Sequence, residues 1–500
     1  MVASGDWLVP RLNGIMHLAK PPLAYWASGA GMRLLGVNET GARMGEALAA
    51  AFLFWAAAYI AGRATERARL LAPIVLASSV LVFALARLLA SDVFLAASVA
   101  GFYVAWLATG RARSIGMFVA LGLGFLAKGP VVFAHTLLPL FVAALWRRER
   151  TVLAGLGRPL GWILFAAIGF PWYLVVIAKT PGLLGWLLGT ELWARYTTTV
   201  HHRAGPPWYF VAVLAAGALP WTAAAIHGTW RAGRSAREPS AANAALVSWA
   251  IAPVFFFSAS GSKLPAYVLP ELAALAILAA RALARPGGLA RWGTAVLLAA
   301  LAIAIETAGP RALAPFVGVT HSASVALPLG AHVAAAAFTA GAIAIAFRFP
   351  AAAALAALTA CYGLLGAART IEGPIGSPIA IARILERARQ PDEPVVELGA
   401  FSAALPFYLG RPIAMVDVPR TGAFEAPGSE THAFLDLEDL PGLVRRQGRV
   451  WIYAPRGRAA REAEAMNLRY EVIARTPHRE LVLFEPMPPD TAGLRSVGGR

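Results

Sequence analysis

The chain has 500 residues, 58% of them apolar and only 14% charged, with a mean hydropathy of +0.61. Soluble domains run at about 45–50% apolar and about 25% charged, so a water-soluble globular protein is excluded; the single cysteine, Cys361, also excludes a disulfide scaffold and a cysteine-based metal cluster. The net charge of +17 gives no support to nucleic-acid binding: residues 1–368 hold 27 Lys+Arg against 10 Asp+Glu, residues 369–500 hold 17 of each, and the excess therefore sits where basic residues belong to loops between membrane helices.

In chain order, residues 1–40 read as an external loop with juxtamembrane helices. About twelve apolar spans follow, at 41–62, 70–89, 93–109, 114–127, 129–146, 157–178, 208–228, 242–258, 265–284, 290–306, 329–347 and 351–367. Several approach the ~17–25 residues a membrane helix needs, and their Ala/Leu/Val-rich runs lack a surface period, as packed helices do. Residues 41–368 thus form a multi-span membrane domain, and the fold class is an α-helical polytopic membrane protein. Residues 369–500 read as a small soluble α/β domain. Its expected strands are Pro394–Leu398, Pro412–Val416, Val450–Tyr453 and Leu481–Phe484, and its expected helices are 378–389, 437–446 and 457–466. It has no Gly-rich phosphate fingerprint or metal spacing, so it is assigned no chemistry.

Arginine sets the expected orientation. Arg63, Arg67 and Arg69, then Arg111 and Arg113, then Arg147, Arg148 and Arg150 follow alternate spans. Arg231, Arg234 and Arg237, then Arg281, Arg285 and Arg291, then Arg348 continue the alternation. Basic loops are cytoplasmic. The loops 1–40, 90–92, the turn at Lys128, 179–207, 259–264 and 307–328 then face outward, as does 369–500. An outward segment 1–40 has no span ahead of it and carries Arg11, Lys20 and Arg33, which resist translocation. The expectation is a missing first helix, a miscounted span being the alternative.

Only four lysines stand against 40 arginines, and all four (Lys20, Lys128, Lys179 and Lys263) fall on the outward side, as does Asp92. The outward loops are rich in aromatic and turn residues: SGDWLVPRLNG (4–14), AKPPLAYW (19–26), LASDVFL (89–95), LAKGP (126–130), ELWARYTTTVHHRAGPPWYF (191–210) and SGSKLPAYVLP (260–270). They bring Lys20, Lys128, Arg195, Lys263 and Tyr267 to one membrane face. Several cations and a phenol at a lipid boundary suit a phosphate ester on a lipid carrier. Interfacial anchoring and snorkelling explain individual lysines equally well, but not the Pro-rich loops or Asp92. His201–His202 and His17 are weak signals for metal.

SGDWLVPRLNG followed by KPPLAYW resembles the first external loop of the aminoarabinose transferase and protein O-mannosyltransferase-like families. These are polyprenyl-phosphate-sugar-dependent glycosyltransferases with the GT-C fold. FFFSASGSKLPAYVLP (255–270) and RAGPPWYFVAVLAAGALPW (203–221) are similar to the same bacterial branch. The resemblance covers about residues 4–285 and implies a GT-C-like bundle in the bacterial cytoplasmic membrane, with the active site and C-terminal domain outside. It implies that Lys20, Arg195 and Tyr267 hold the donor phosphate, that Lys128 is a further cavity lysine, and that Asp92 is the second acidic site. The family's principal acidic pair precedes the segment where this chain starts, so by resemblance that acid is missing. Aminoarabinose transferases also show an acid before the lysine of the KP motif, where this chain has Ala19, which puts a metal site using that acid in doubt. The cofactor is left open, a divalent metal included.

The implied activity is sugar transfer from a polyprenyl (undecaprenyl) monophosphate to a lipid A-like glycolipid or a protein, with inversion at the anomeric carbon. Partners would be the donor, the acceptor and membrane lipids. Two other classes compete: a transporter, and a non-catalytic membrane protein with an external binding domain. A transporter needs mid-membrane substrate groups and often repeated halves. No repeat and no clear charge pair is legible, Glu271 and Glu306 lying toward span ends.

Overall fold

The computed structural model describes all residues except 3, 199–203, 235–239, 286–287, 318–320, 376–377, 420–425, 428–433, 477 and 488–500; for 313–317, 321–323 and 370–375 only the backbone is described. The chain divides into two compact units. The first comprises Met1–Pro10, Leu18–Ala312 and Pro328–Leu365, the second Arg11–His17, Leu313–Leu327 and Gly366–Arg500.

The first unit is a helical bundle. Among the described residues seven helices are long and apolar enough to cross a membrane, at Glu39–Gly62, Gly110–Lys128, Ala241–Ser258, Pro265–Leu283, Gly288–Ala312, Ser324–Ala346 and Pro350–Arg369. The bent pairs Pro159–Gly169 with Pro171–Lys179 and Tyr209–Gly217 with Thr222–Arg234 raise the number to nine. Ser91–Trp106 and Val131–Arg147 are apolar but shorter. The protein is a multi-span membrane protein with fewer full-length spans than the apolar runs promise, and the reasons are local.

The run 70–89 is not one span. It breaks into helices Glu66–Ala77 and Val80–Leu85: Ser79 is extended (ψ 129°), and the Val80 N–H donates to the Leu219 carbonyl at 3.1 Å instead of to the preceding turn. The Ser78 and Ser79 hydroxyls donate back to the carbonyls of Ile74 (2.6 Å) and Val75 (2.9 Å) at the end of the first helix. The run 157–178 bends by 45° where Pro171, lacking an N–H, restarts the helix. The run 208–228 folds back by 112° around residues 218–221. The expected loop 307–328 is largely helix instead: Gly288–Val317 and His321–Ala346 run into it. Pro310 and Pro315 do not stop the first of these helices.

Helix Leu23–Leu35 packs against Glu39–Gly62 through small residues. A Cβ on Gly31 would lie 2.1 Å from the Gly41 carbonyl, so the pair approaches closely only with glycine there. Asn38 caps the second helix by accepting the Gly41 N–H at 2.8 Å.

The second unit contains a two-stranded hairpin, β1 (Arg11–Leu12) and β2 (Ile15–Met16), and a six-stranded sheet. The sheet strands are β3 (Val395–Leu398), β4 (Ala414–Val416), β5 (Phe434–Leu435), β6 (Val450–Pro455), β7 (Arg469–Arg475) and β8 (Arg479–Glu485), in the order β5-β4-β3-β6-β8-β7. β3, β4, β5 and β6 run parallel, while β7 and β8 close one edge antiparallel. Val396, Leu398, Ile452 and Phe484 fill the core on one face, and Trp451, Tyr453 and Leu481 fill the other. Helices Ile379–Ala388, Leu440–Gln447 and Arg458–Ala465 fall where the sequence reading put helices, but strand β7 and helix Ala404–Leu409 were not foreseen. Asn13 pairs like an extra backbone unit, its amide exchanging two 2.8 Å hydrogen bonds with the N–H and C=O of Ile413.

Candidate active site

Five segments of the first unit place charged side chains at one end of the helical bundle. Lys20 precedes helix Leu23–Leu35, and Asp92 lies in the first turn of Ser91–Trp106. Lys128 is the last residue of Gly110–Lys128, where Gly129 (φ +74°) and Pro130 turn the chain directly into Val131–Arg147. Tyr267 sits in the short turn Pro265–Val268 that opens helix Leu269–Leu283. Arg195 follows a π-helical segment, Leu187–Ala194.

Two ion-paired groups result. In the first, Glu191 bridges two cations: Lys20 Nζ is 3.4 Å from Glu191 Oε2, and Arg195 Nη2 is 2.8 Å from each carboxylate oxygen. In the second, Lys128 is paired with Asp92, and its ammonium also lies 5.1 Å from the centre of the Tyr267 ring. The groups feel each other. Burial pushes the Lys20 ammonium down to about 8, and the positive charges of Arg195 and Lys128 push it the same way, against Glu191. The structure thus brings together Lys20, Arg195, Lys128, Tyr267 and Asp92, three cations against two carboxylates when Glu191 is included.

Close backbone contact holds the Arg195 segment against the loop before Tyr267. The Gly261 N–H donates to the Tyr196 carbonyl at 2.7 Å, and a Cβ on Gly261 would meet the Thr198 carbonyl at 2.5 Å. The SGSK sequence needs its glycine for this approach. The Tyr196 hydroxyl donates to the Phe256 carbonyl at 3.1 Å. Tyr267 packs against Phe210 and Phe257, and its buried hydroxyl has no hydrogen-bond partner among the described residues. An orphaned buried hydroxyl beside excess cations is a site short of an anion.

Lys263 stands apart in role. Its ammonium donates to the carbonyls of Ser258 (3.0 Å) and Ser260 (2.6 Å), satisfying the C-terminal end of helix Ala241–Ser258. Lys179 is the last residue of its helix. His17 belongs to the second unit, and His201 and His202 lie outside the described residues. Among the described residues no group of three or more His, Cys, Asp or Glu could hold a metal ion. Asp92 and Glu191 face cations and Ala19 offers no ligand, so the side chains here do not fit a metal and no step is derived through one.

The sequence reading missed two features. Glu191 opens the quoted segment ELWARYTTTV, yet only its four-residue spacing to Arg195 hints at a partnership. The second is a fully buried pair: His135 Nδ1 lies 2.7 Å from Glu271 Oε1, both side chains having no exposure. Each residue lies within two turns of its helix N-terminus, one helix following Lys128 and the other following Tyr267. The pair is therefore near span ends, as expected for Glu271, and it is a buried His–Glu hydrogen-bonded pair that the sequence did not disclose.

An apolar groove of about 520 Å³ runs between helices Val131–Arg147 and Ala241–Ser258, lined by Leu138, Val142, Trp146, Ile251, Phe255 and Phe256. Phe256 is the residue that receives the Tyr196 hydroxyl, next to Arg195.

Comparison with known proteins gives these features a context. Residues 19–177 match the family described as Dolichyl-phosphate-mannose-protein mannosyltransferase. The undecaprenyl phosphate-alpha-4-amino-4-deoxy-L-arabinose arabinosyl transferase of Serratia proteamaculans is 31% identical over 291 residues, 56% of this chain and 52% of that protein. The protein of the same name from Erwinia tasmaniensis is 28% identical over 339 residues, 64% and 60% of the two chains. The chain spans about half the length of the curated relatives it matches. Among solved structures, ArnT from Cupriavidus metallidurans bound to undecaprenyl phosphate matches with a TM-score of 0.82 at 24% identity, covering 97% of this chain and 91% of that one. Its apo structure matches with a TM-score of 0.81 at 25% identity and the same coverage. Over residues 19–177 the chain is similar to the dolichyl-phosphate-mannose-protein mannosyltransferase family, and over nearly its whole length it has the fold of ArnT.

Proposed function

We propose that the protein is an inverting membrane glycosyltransferase that moves a sugar from an undecaprenyl-type monophosphate carrier to a glycolipid of the lipid A kind, or to a protein, at the outer face of the bacterial cytoplasmic membrane. The carrying observation is the surplus of cations over carboxylates at Lys20, Arg195 and Lys128, beside the Tyr267 hydroxyl, which has no partner among the described residues. The apolar groove ending at Phe256 suits a prenyl tail whose phosphate lies among those cations. The similar proteins of Serratia proteamaculans and Erwinia tasmaniensis, arabinosyl transferases named for an undecaprenyl phosphate sugar, support the same reading. The basic alternate loops support the orientation.

The donor is a phosphodiester with one negative charge. Breaking the anomeric C–O bond leaves a phosphomonoester carrying a second charge, while the sugar becomes oxocarbenium-like. Lys20, Arg195 and the Tyr267 hydroxyl stabilise that developing charge, and preorganised donors act strongly where water is excluded. Asp92, paired with Lys128, offers negative charge to the sugar cation. A hydroxyl acceptor needs a base, whereas a phosphate acceptor does not.

The test is transfer from an undecaprenyl-phosphate sugar to lipid A in proteoliposomes. Lys20→Ala removes one phosphate partner and is expected to lose about 2.7–4 kcal/mol of transition-state stabilisation, a rate loss of roughly 10²–10³. Unchanged transfer by a folded Lys20→Ala protein rejects the role.

A further inference from the structure

Glu191 is the acid at the centre of the cation cluster, and no step above uses it. Its carboxylate is nearly buried, with 10% side-chain exposure, against 34% for Lys20 and 22% for Arg195. Among the described residues both of its oxygens are held only by cationic side chains, with no backbone N–H. Those cations are the two to which the proposed function gives the carrier phosphate. A carboxylate and a phosphate oxygen present the same acceptor chemistry to an ammonium and a guanidinium. The backbone beneath Glu191 is π-helical, a wider turn than the α-helix and a frequent local device at functional sites.

We propose that Glu191 occupies the anion seat between Lys20 and Arg195 in the unloaded protein and is displaced from it by the carrier phosphate. The inference rests on the carrier-phosphate reading of Lys20 and Arg195. Without ligand, Glu191 neutralises part of a cluster in which burial, and after it the charges of Arg195 and Lys128, depress Lys20. When the phosphodiester donor arrives, its single negative charge takes over Lys20 and Arg195, and Glu191 swings aside within reach. After transfer the phosphomonoester carries two charges, and the nearby carboxylate repels it. Glu191, still within reach, retakes the seat as the spent carrier leaves and so loosens its hold on Lys20 and Arg195.

The test measures binding of undecaprenyl phosphate, with undecaprenol as the uncharged control, to the wild-type protein and to Glu191→Gln, Glu191→Ala and Lys20→Ala in nanodiscs. Glu191→Gln and Glu191→Ala are expected to bind undecaprenyl phosphate roughly 1.5- to fivefold more tightly, the range of one partly exposed ion-pair competitor. Undecaprenol binding should not change. The unloaded variants should melt lower than wild type and recover with undecaprenyl phosphate, which separates loss of the internal anion from misfolding. Equal or weaker binding by both Glu191 variants, with Lys20→Ala also weakened, overturns the displacement while leaving the carrier reading intact. Unchanged binding by Lys20→Ala overturns the carrier reading, and the inference with it.

Discussion

Glu191 in the helical unit and Glu393 in the sheet domain are both poorly exposed acids beside arginine, yet they are held in opposite ways. Glu393 accepts the Gln390 backbone N–H at 3.1 Å, the Trp451 indole N–H at 2.6 Å and Arg449 at 2.7 Å. The indole belongs to β6 and the backbone donor to the turn leading into β3, and neither can move away without disrupting the sheet, so this acid is a fixed part of it. Glu191 is held by Lys20 and Arg195, two long side chains that can turn to another anion. Buried charge is ordinary in both units; what distinguishes a site is an acid whose partners are free to exchange and a cation count that exceeds the acid count.

The largest effect that bears on this contrast concerns His135 and Glu271. Their pair lies inside the helical unit but is closed like that of Glu393, with no exposure on either side. Glu271→Ala should therefore destabilise the protein by about 3–5 kcal/mol, the cost of breaking a buried pair from one side. Thermal unfolding in detergent measures it. A loss below about 1 kcal/mol would place Glu271 with Glu191, among the exchangeable acids.

A smaller effect is expected at Glu393 itself. Glu393→Ala leaves the Trp451 indole N–H without its acceptor, at a cost of about 1–3 kcal/mol. Hydrogen exchange at β3 and β6 in the full-length chain should report it, while undecaprenyl phosphate binding stays unchanged. A changed affinity would remove the distinction between the fixed acid and the exchangeable one.

The smallest effect is a pH dependence. Lys20 is held down to about 8 by burial and by its cationic neighbours, so its ammonium is lost as pH rises through that value, earlier than for an ordinary lysine. The bound phosphate needs the charged form. Affinity for undecaprenyl phosphate should rise from pH 6 to about pH 7 as the monoester gains its second charge, and then fall, by at most about tenfold per pH unit above 8. Lys20→Ala should flatten the fall, as titration by isothermal calorimetry across pH 6–9.5 can check. A curve of the same shape in Lys20→Ala assigns the titration to another group.

The membrane character, the α/β nature of the last 130 or so residues and the rough places of their main elements were legible in the sequence, because apolar run length and period reflect local burial. The count of intact spans was not. Whether the run 70–89 stays one helix depends on the Val80 N–H leaving the helix ladder for the distant Leu219 carbonyl, and an apolar window is blind to that. For the cluster, sequence motifs pointed to Lys20, Asp92, Lys128, Arg195 and Tyr267 one by one, through lysine scarcity and a family resemblance. Tertiary structure decided which charges meet. Lys20 finds Glu191 across 171 residues and His135 finds Glu271 across 136. Such partnerships are set by how helices pack and how loops cross at one end of a bundle. Local composition determines which segments leave water; only the packed chain determines which of the charges they carry are neutralised and which remain open to a ligand.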